Sequence, residues 1–218
     1  MPDTKRILCF GDSLTWGWTP VAEGETSRRY PFEERWTGVM AGALGDAYTI
    51  VEEGLSGRTT TADDPVDPRL NGSRYLPSAL ASHLPLDLVV IMLGTNDTKA
   101  HFARTPFDIA TGMSVLLNQV ARSAGGVGTD YPAPRALVVA PPPLGEVSGP
   151  WRSQVFRGGQ EKSAQLAGVY RALADAAGAA FADAGEFITT DGKDGVHFTR
   201  ENNEVLGRAL AEAVAALL

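Results

Sequence analysis

Apolar positions along this chain follow two rhythms. Short unbroken apolar runs alternate with longer stretches in which apolar residues return every three or four positions. Strands are read at 6–10 (Arg-Ile-Leu-Cys-Phe), 48–52, 86–93 and 136–140, with a weaker fifth at 179–183. The run 86–93 is the most apolar, and near-continuous apolarity marks a strand covered on both faces, central in a parallel sheet. Helices are read between the strands. Over 32–44, Trp36, Val39, Met40 and Leu44 share a face, and Gly45 is a stop. A short helix covers 76–84. The next opens on Thr105-Pro106 with Asp108 in its first turn, carries Ile109, Met113, Leu116, Leu117 and Val120, and stops at Gly125-Gly126. Residues 160–177 turn Leu166, Val169, Tyr170 and Leu173 inward, and Thr199 caps a last helix bearing Leu206, Leu210, Val214 and Leu217. Between these elements, 15–32, 58–75, 141–159 and 184–198 read as loops rich in Pro, Gly and Asp. Strands alternating with helices imply an α/β fold with a doubly wound parallel sheet. No internal repeat or linker divides the 218 residues, so one domain over 1–218 is expected.

Composition narrows the class. Hydrophobic residues make up 44% of the chain, an ordinary globular share. The net charge of −7 disfavours nucleic acid and anionic membrane surfaces as partners. Cys9 is the only cysteine, so no intrachain disulfide forms, and within a strand it reads as a small buried hydrophobe. The apolar run after Met1-Pro2-Asp3-Thr4-Lys5-Arg6 is too short for a signal peptide, and no stretch reaches transmembrane length. A cytoplasmic protein is expected.

The candidate chemistry sits where strands end. The first strand runs into Gly11-Asp12-Ser13-Leu14, which leaves Ser13 at the carboxyl edge of the sheet, where open α/β sheets bind ligands. Gly11 is read as allowing a backbone conformation that a side chain would forbid. A serine there is a candidate nucleophile and needs a base, an orienter for the base and donors for an oxyanion. Of three histidines, His83 and His101 have no partner at a telling spacing and read as surface residues. His197 lies in Asp194-Gly195-Val196-His197, where a turn through Gly195 can bring the carboxylate to the ring. On spacing alone, that reading and a helix-capping turn with an exposed histidine stand level. Asn96, in Gly94-Thr95-Asn96-Asp97 after the central strand, offers a neutral amide donor, although asparagine is also ordinary turn chemistry. Gly57 follows the second strand and offers a backbone N–H, although in isolation a plain turn glycine is the favoured reading. Trp16 and Trp18 beside Ser13 are read as lining a pocket.

Other chemistries find little support. Gly-x-Ser-x-Gly is absent. Gly125-Gly126-Val127-Gly128 follows a helix rather than a strand, unlike a dinucleotide site. No Cys/His spacing suits zinc, and Asp191, Asp194 and His197 make a poor metal set. No metal or organic cofactor is expected.

Together these residues resemble the GDSL, or SGNH, hydrolase family, named for serine, glycine, asparagine and histidine in four separate blocks. Ser13, Gly57, Asn96 and His197 fall in those blocks in order, across the whole chain. The runs 5–18, 64–77 and 91–99 look most like the mycobacterial arylesterase/acyltransferase subgroup, also called perhydrolases. The resemblance implies a flavodoxin-like three-layer sandwich with a five-stranded parallel sheet, order 2-1-3-4-5. It implies a serine esterase acting on acetyl and aryl esters through an acyl-serine and passing the acyl group to water, alcohols or peroxide. A deacetylase for acetylated sugars uses the same triad and stays open, as does a silent binding protein on this fold. Ser13, His197 and Asp194 would form the triad, with Ser13, Gly57 and Asn96 as the oxyanion hole. Asp12, Leu14, Trp16, Trp18, Ser56 and Val196 would touch substrate. The subgroup also implies a homo-oligomer, an octamer, whose long loops build an apolar channel. Two positions depart from the pattern. Glu52-Glu53 stand where the second block usually opens with asparagine, and Arg58 replaces the acid that usually follows the glycine.

Overall fold

The computed structural model describes residues 4–218, so Met1, Pro2 and Asp3 of the opening segment lie outside the described residues. Strands β1 (Lys5–Gly11), β2 (Tyr48–Gly54), β3 (Leu88–Met92), β4 (Arg135–Ala140) and β5 (Ala180–Asp183) form one sheet in the order 2-1-3-4-5. Every neighbouring pair is parallel. Strand alternation sorts the core into two layers. Leu8 and Phe10 of β1 and Val89 and Ile91 of β3 face α3 (Gly72–His83), α4 (Pro106–Ala121) and α6 (Gly159–Ala177). Leu80, Met113, Leu116, Leu166 and Tyr170 close that side. Ile7, Cys9, Val90 and Val139 face α2 (Trp36–Leu44) and α7 (Arg200–Leu217), packing on Trp36, Met40, Leu206 and Leu210. All five residues of β3 are buried, as its apolar run requires.

This order positions the site. The chain leaves β1 toward β2 on one side and returns through β3 on the other. The carboxyl ends of β1 and β3 therefore flank the point where strand order reverses, where a crevice opens in sheets of this kind. Ser13 and Asn96 follow those two strands directly.

The elements depart from the sequence reading in four places. One helical turn, α1 (Ser13–Trp16), follows Asp12 within the expected loop, and α5 (Pro150–Val155) lies within another. The helix expected over 32–44 divides, because Arg35 is extended between a 3-10 turn at Phe32–Glu34 and α2. The helix α3 begins at Gly72 rather than 76, capped by the Asn71 side chain accepting from the Ser73 N–H. Gly11 has no unusual φ. Its need is spatial, since a Cβ there would lie 2.0 Å from Thr15 Oγ1.

Candidate active site

Ser13 opens α1, whose N-cap is Asp12, with Oδ1 accepting from the Leu14 N–H at 2.9 Å. The first N–H groups of a helical turn have no partner within it. Among the described residues neither the Ser13 nor the Gly57 N–H meets an acceptor. Gly57 sits at φ +90 in a turn closed by the Arg58 N–H on Leu55 O at 3.0 Å, a conformation that favours glycine.

His197 reaches Ser13 from the loop before α7. Its Nε2 lies 2.9 Å from Ser13 Oγ, and its Nδ1 lies 2.7 Å from Asp194 Oδ2. Asp194 Oδ1 accepts from the N–H groups of Val196 at 3.0 Å and His197 at 2.9 Å. Gly195 makes that tight turn at φ +71 and packs against Glu146 O, where a Cβ would lie 2.2 Å away. Burial alone would raise the Asp194 pKa, but the His197 ring and the two N–H groups outweigh it and hold it down to about 2. The carboxylate is therefore ionised at neutral pH and fixes the ring with Nδ1 protonated and Nε2 toward the serine. Asp191 does not join the pair. It accepts from the N–H and hydroxyl of Thr199 at 2.9 and 2.7 Å, tying down the start of α7. Among the described residues no group of His, Cys, Asp or Glu is placed to hold a metal ion.

Asn96 is 6% exposed, and its Nδ2 donates to Asp12 Oδ2 and Arg58 O, both at 3.1 Å. The turn carrying it is fixed by Asp97, which accepts from the Thr60 N–H, the Thr60 hydroxyl and the Arg104 guanidinium. The segments after Gly57 and after β3 are thus locked together. Trp18 stacks on the His197 ring at 5.4 Å and 18°, and Trp16 lies 6.0 Å from Trp18. Trp16 is held by Arg29, which lies over its ring and donates to its carbonyl at 2.6 Å. Glu52 binds Arg29, Arg35 and Thr37, so this departure from the family pattern anchors the tryptophan wall.

Not every expected substrate residue stands open. Leu14 is 3% exposed and packs in the core with Trp36 and Phe198. Val196 is buried beside Leu144 and Phe156. Ser56 Oγ is enclosed and finds no hydrogen-bond partner among the described residues. His83, read as partnerless, meets Glu53 at 2.9 Å across thirty positions of sequence. Arg58 was noted only as a departure. It is 2% exposed, and its guanidinium donates to Gly11 O at 2.9 Å and also to Glu53 O. Cys9 is wholly enclosed, with burial and then Glu52 pushing its thiol far up.

A serine, a histidine and a buried aspartate in file at the carboxyl edge of a parallel sheet is the arrangement of a serine hydrolase. The chain belongs to the GDSL-like lipase/acylhydrolase family, whose model matches residues 9–205. Among solved structures it is similar to an aryl esterase from M. smegmatis, at 63% identity and TM-score 0.97, covering 99% of this chain and 100% of that one. It is equally similar to Est24, a carbohydrate acetylesterase from Sinorhizobium meliloti, at 62% identity and TM-score 0.97, with the same coverage. A carbohydrate acetylesterase family member from the same species matches at 42% identity and TM-score 0.89, covering 99% of each chain. No curated protein sequence matches. The enzyme is an esterase of this family, and no helix of the described residues is long and apolar enough to cross a membrane.

Proposed function

We propose that residues 1–218 form one hydrolase domain in which Ser13 is the nucleophile, His197 its base and Asp194 the orienter of the ring. Ser13 Oγ attacks the ester carbonyl carbon while His197 Nε2 takes its proton. The carbonyl oxygen becomes an anion held by the N–H groups of Ser13 and Gly57 and by the Asn96 amide, which keeps its bond to Arg58 O and exchanges its bond to Asp12 Oδ2 for one to the oxyanion. Collapse expels the alcohol, which receives the proton from His197 and leaves acyl-Ser13. Water, an alcohol or hydrogen peroxide then gives a proton to His197 and attacks the acyl carbon; the bond to Ser13 Oγ breaks, His197 returns the proton to that oxygen, and acid, new ester or peracid leaves. No metal or organic cofactor enters this sequence.

The observation that carries the reading is the unbroken file from Asp194 through His197 to Ser13, at 2.7 and 2.9 Å. The two unpartnered N–H groups beside it support the oxyanion site. The substrates are short acyl esters of small alcohols or phenols. The aromatic wall of Trp16 and Trp18 favours them, as does identity to the M. smegmatis aryl esterase. Acetylated carbohydrate is the second reading, favoured by comparable identity to Est24. The enzyme works in the cytoplasm as a homo-oligomer, an octamer in the manner of its subgroup, with no nucleic-acid or membrane partner.

Ser13→Ala is expected to keep the fold and lower turnover of a phenyl acetate by on the order of 10^4-fold. A folded variant retaining a tenth of parental turnover would remove Ser13 from the mechanism. Comparing kcat/KM for phenyl acetate and an acetylated monosaccharide decides between the substrate classes.

A further inference from the structure

The three oxyanion donors come from three separate segments: the turn after β1, the turn after β2 and the turn after β3. An oxyanion site works only if its donors converge within tenths of an ångström. One residue touches all three segments. The Arg58 guanidinium donates to Gly11 O at 2.9 Å, two residues before Ser13. Its own N–H closes the turn that presents Gly57, and its carbonyl accepts the Asn96 amide at 3.1 Å. The same guanidinium donates to Glu53 O, gripping the end of β2.

Arg58 is an expensive residue for packing alone. Its cation is buried beside the rings of Phe10 at 4.2 Å and Tyr75 at 5.3 Å. Its Nε finds no partner, and no carboxylate forms an ion pair with it among the described residues. The nearest acid, Glu53, has its side chain on His83 and Tyr75. Burial leads the pull of its pKa down to about 10, against the charges of Glu53, Tyr75 and Asp12. An apolar side chain of similar volume would avoid that desolvation. What it could not do is bind two strand-end carbonyls at once.

We infer that Arg58 is a positioning residue of the oxyanion site, pinning the Gly57 turn and the Asn96 amide to the strand end that carries Ser13. It touches no reacting atom. The inference rests on the oxyanion assignment above, and the experiment separates the two.

The test is a double-mutant cycle on phenyl acetate hydrolysis with Arg58→Met, Asn96→Ala and the combination, plus thermal melts. Arg58→Met is expected to lower kcat by about 30- to 100-fold, the cost of misplacing catalytic groups by an ångström. KM should stay within about 3-fold, because the donors act mainly in the transition state. The melting temperature should not fall, since a buried charge has been removed. The combination should be little slower than the worse single variant, because both act on one site. Arg58→Lys, whose shorter arm reaches one carbonyl, should fall between parent and Arg58→Met. If Asn96→Ala leaves kcat unchanged, the oxyanion assignment falls and this inference with it. If Asn96→Ala slows the enzyme but Arg58→Met does not, or the losses add fully, the inference alone is overturned. Lower kcat with an equally marked loss of stability would make Arg58 structural, which also overturns it. Should Arg58→Met fail to fold, the cycle is run on Arg58→Lys, with full additivity again the overturning result.

Discussion

Asp12 shows how much of this site is decided by a single side chain. Both of its carboxylate oxygens accept: Oδ1 from the Leu14 N–H at 2.9 Å and Oδ2 from Asn96 Nδ2 at 3.1 Å. Burial dominates its titration and raises the pKa to about 7, against the lowering effects of the Leu14 N–H, Lys99 and Arg58. The folded state thus binds this proton more tightly than the unfolded chain. The stability Asp12 contributes is complete below its unfolded value of 3.8 and is lost as pH rises to about 7. Asp12→Asn removes that dependence. The melting temperature of the variant, relative to the parent, should improve by several degrees between pH 4 and pH 8. A difference that stays flat across that range would show that Asp12 titrates as a free carboxyl group. The variant should also be slower by about 10- to 100-fold, because an amide has one acceptor where two are used. Whichever way it turns, an NH2 faces a donor. The placing of Ser13 and Asn96 after strand ends, and of His197 with Asp194 in one turn before α7, was legible because it depends on local sequence. Asp12 and Arg58 were not legible in the same way, since their importance lies in burial, which tertiary neighbours decide.

At the scale of elements, the long strongly patterned segments were readable and the short ones were not. The capping box of Thr105 and Asp108 that starts α4 stands where the sequence placed it. The helix α5 escaped notice because its start is satisfied from far away. Glu23 accepts from the N–H groups of Trp151 and Arg152, 128 and 129 positions on. The early start of α3 was hidden by Pro77, which removes one helical donor. The carbonyl left over, Ser73 O, accepts from Gln119 Nε2 of α4 at 2.8 Å, so the helix runs through the proline. Asn71 fixes that start and does more than cap. Its Nδ2 donates to Thr61 O at 2.9 Å and Asp63 Oδ1 at 2.7 Å, holding α3 to the segment after Gly57. Asn71→Ala loses a cap and two half-buried tie bonds and should cost about 2 kcal/mol of stability in a denaturant titration. Asn71→Asp keeps an acceptor for Ser73 but sets a carboxylate against Asp63 and the Thr61 carbonyl. It should therefore be no more stable than the alanine variant. Recovery of parental stability by aspartate would mean that the cap alone matters.

For the molecule as a whole, the surface around the mouth of the site bears on assembly and on acceptor choice. The loops at 58–75 and 141–159 flank that mouth, the first leading away from Gly57 and the second bonded to the Asp194–His197 turn through the Gly145 N–H on Gly195 O at 2.9 Å. They carry Val66 and Trp151 at 89% and 75% exposure, and Tyr75 at the edge of α3 is 40% exposed. Phe156, on the second loop, packs within its own chain on Leu144 and Val196. Apolar side chains left open on two loops beside one site mark an interaction surface. In the proposed homo-oligomer a second copy of the chain would bury Trp151 and Val66 and wall the approach to Ser13 with apolar surface. An acyl-enzyme at the base of such a channel meets little water. A small alcohol should then compete for the acyl group better than its concentration alone predicts. Light scattering should report an oligomer, and dilute ethanol should divert a measurable share of acetyl groups from phenyl acetate into ethyl acetate. Trp151→Ser should loosen the assembly and return the product toward acetic acid while leaving the distances within the triad untouched. A monomer yielding only acid would sink both halves of this expectation. An oligomer yielding only acid would leave the assembly standing and refute the channel.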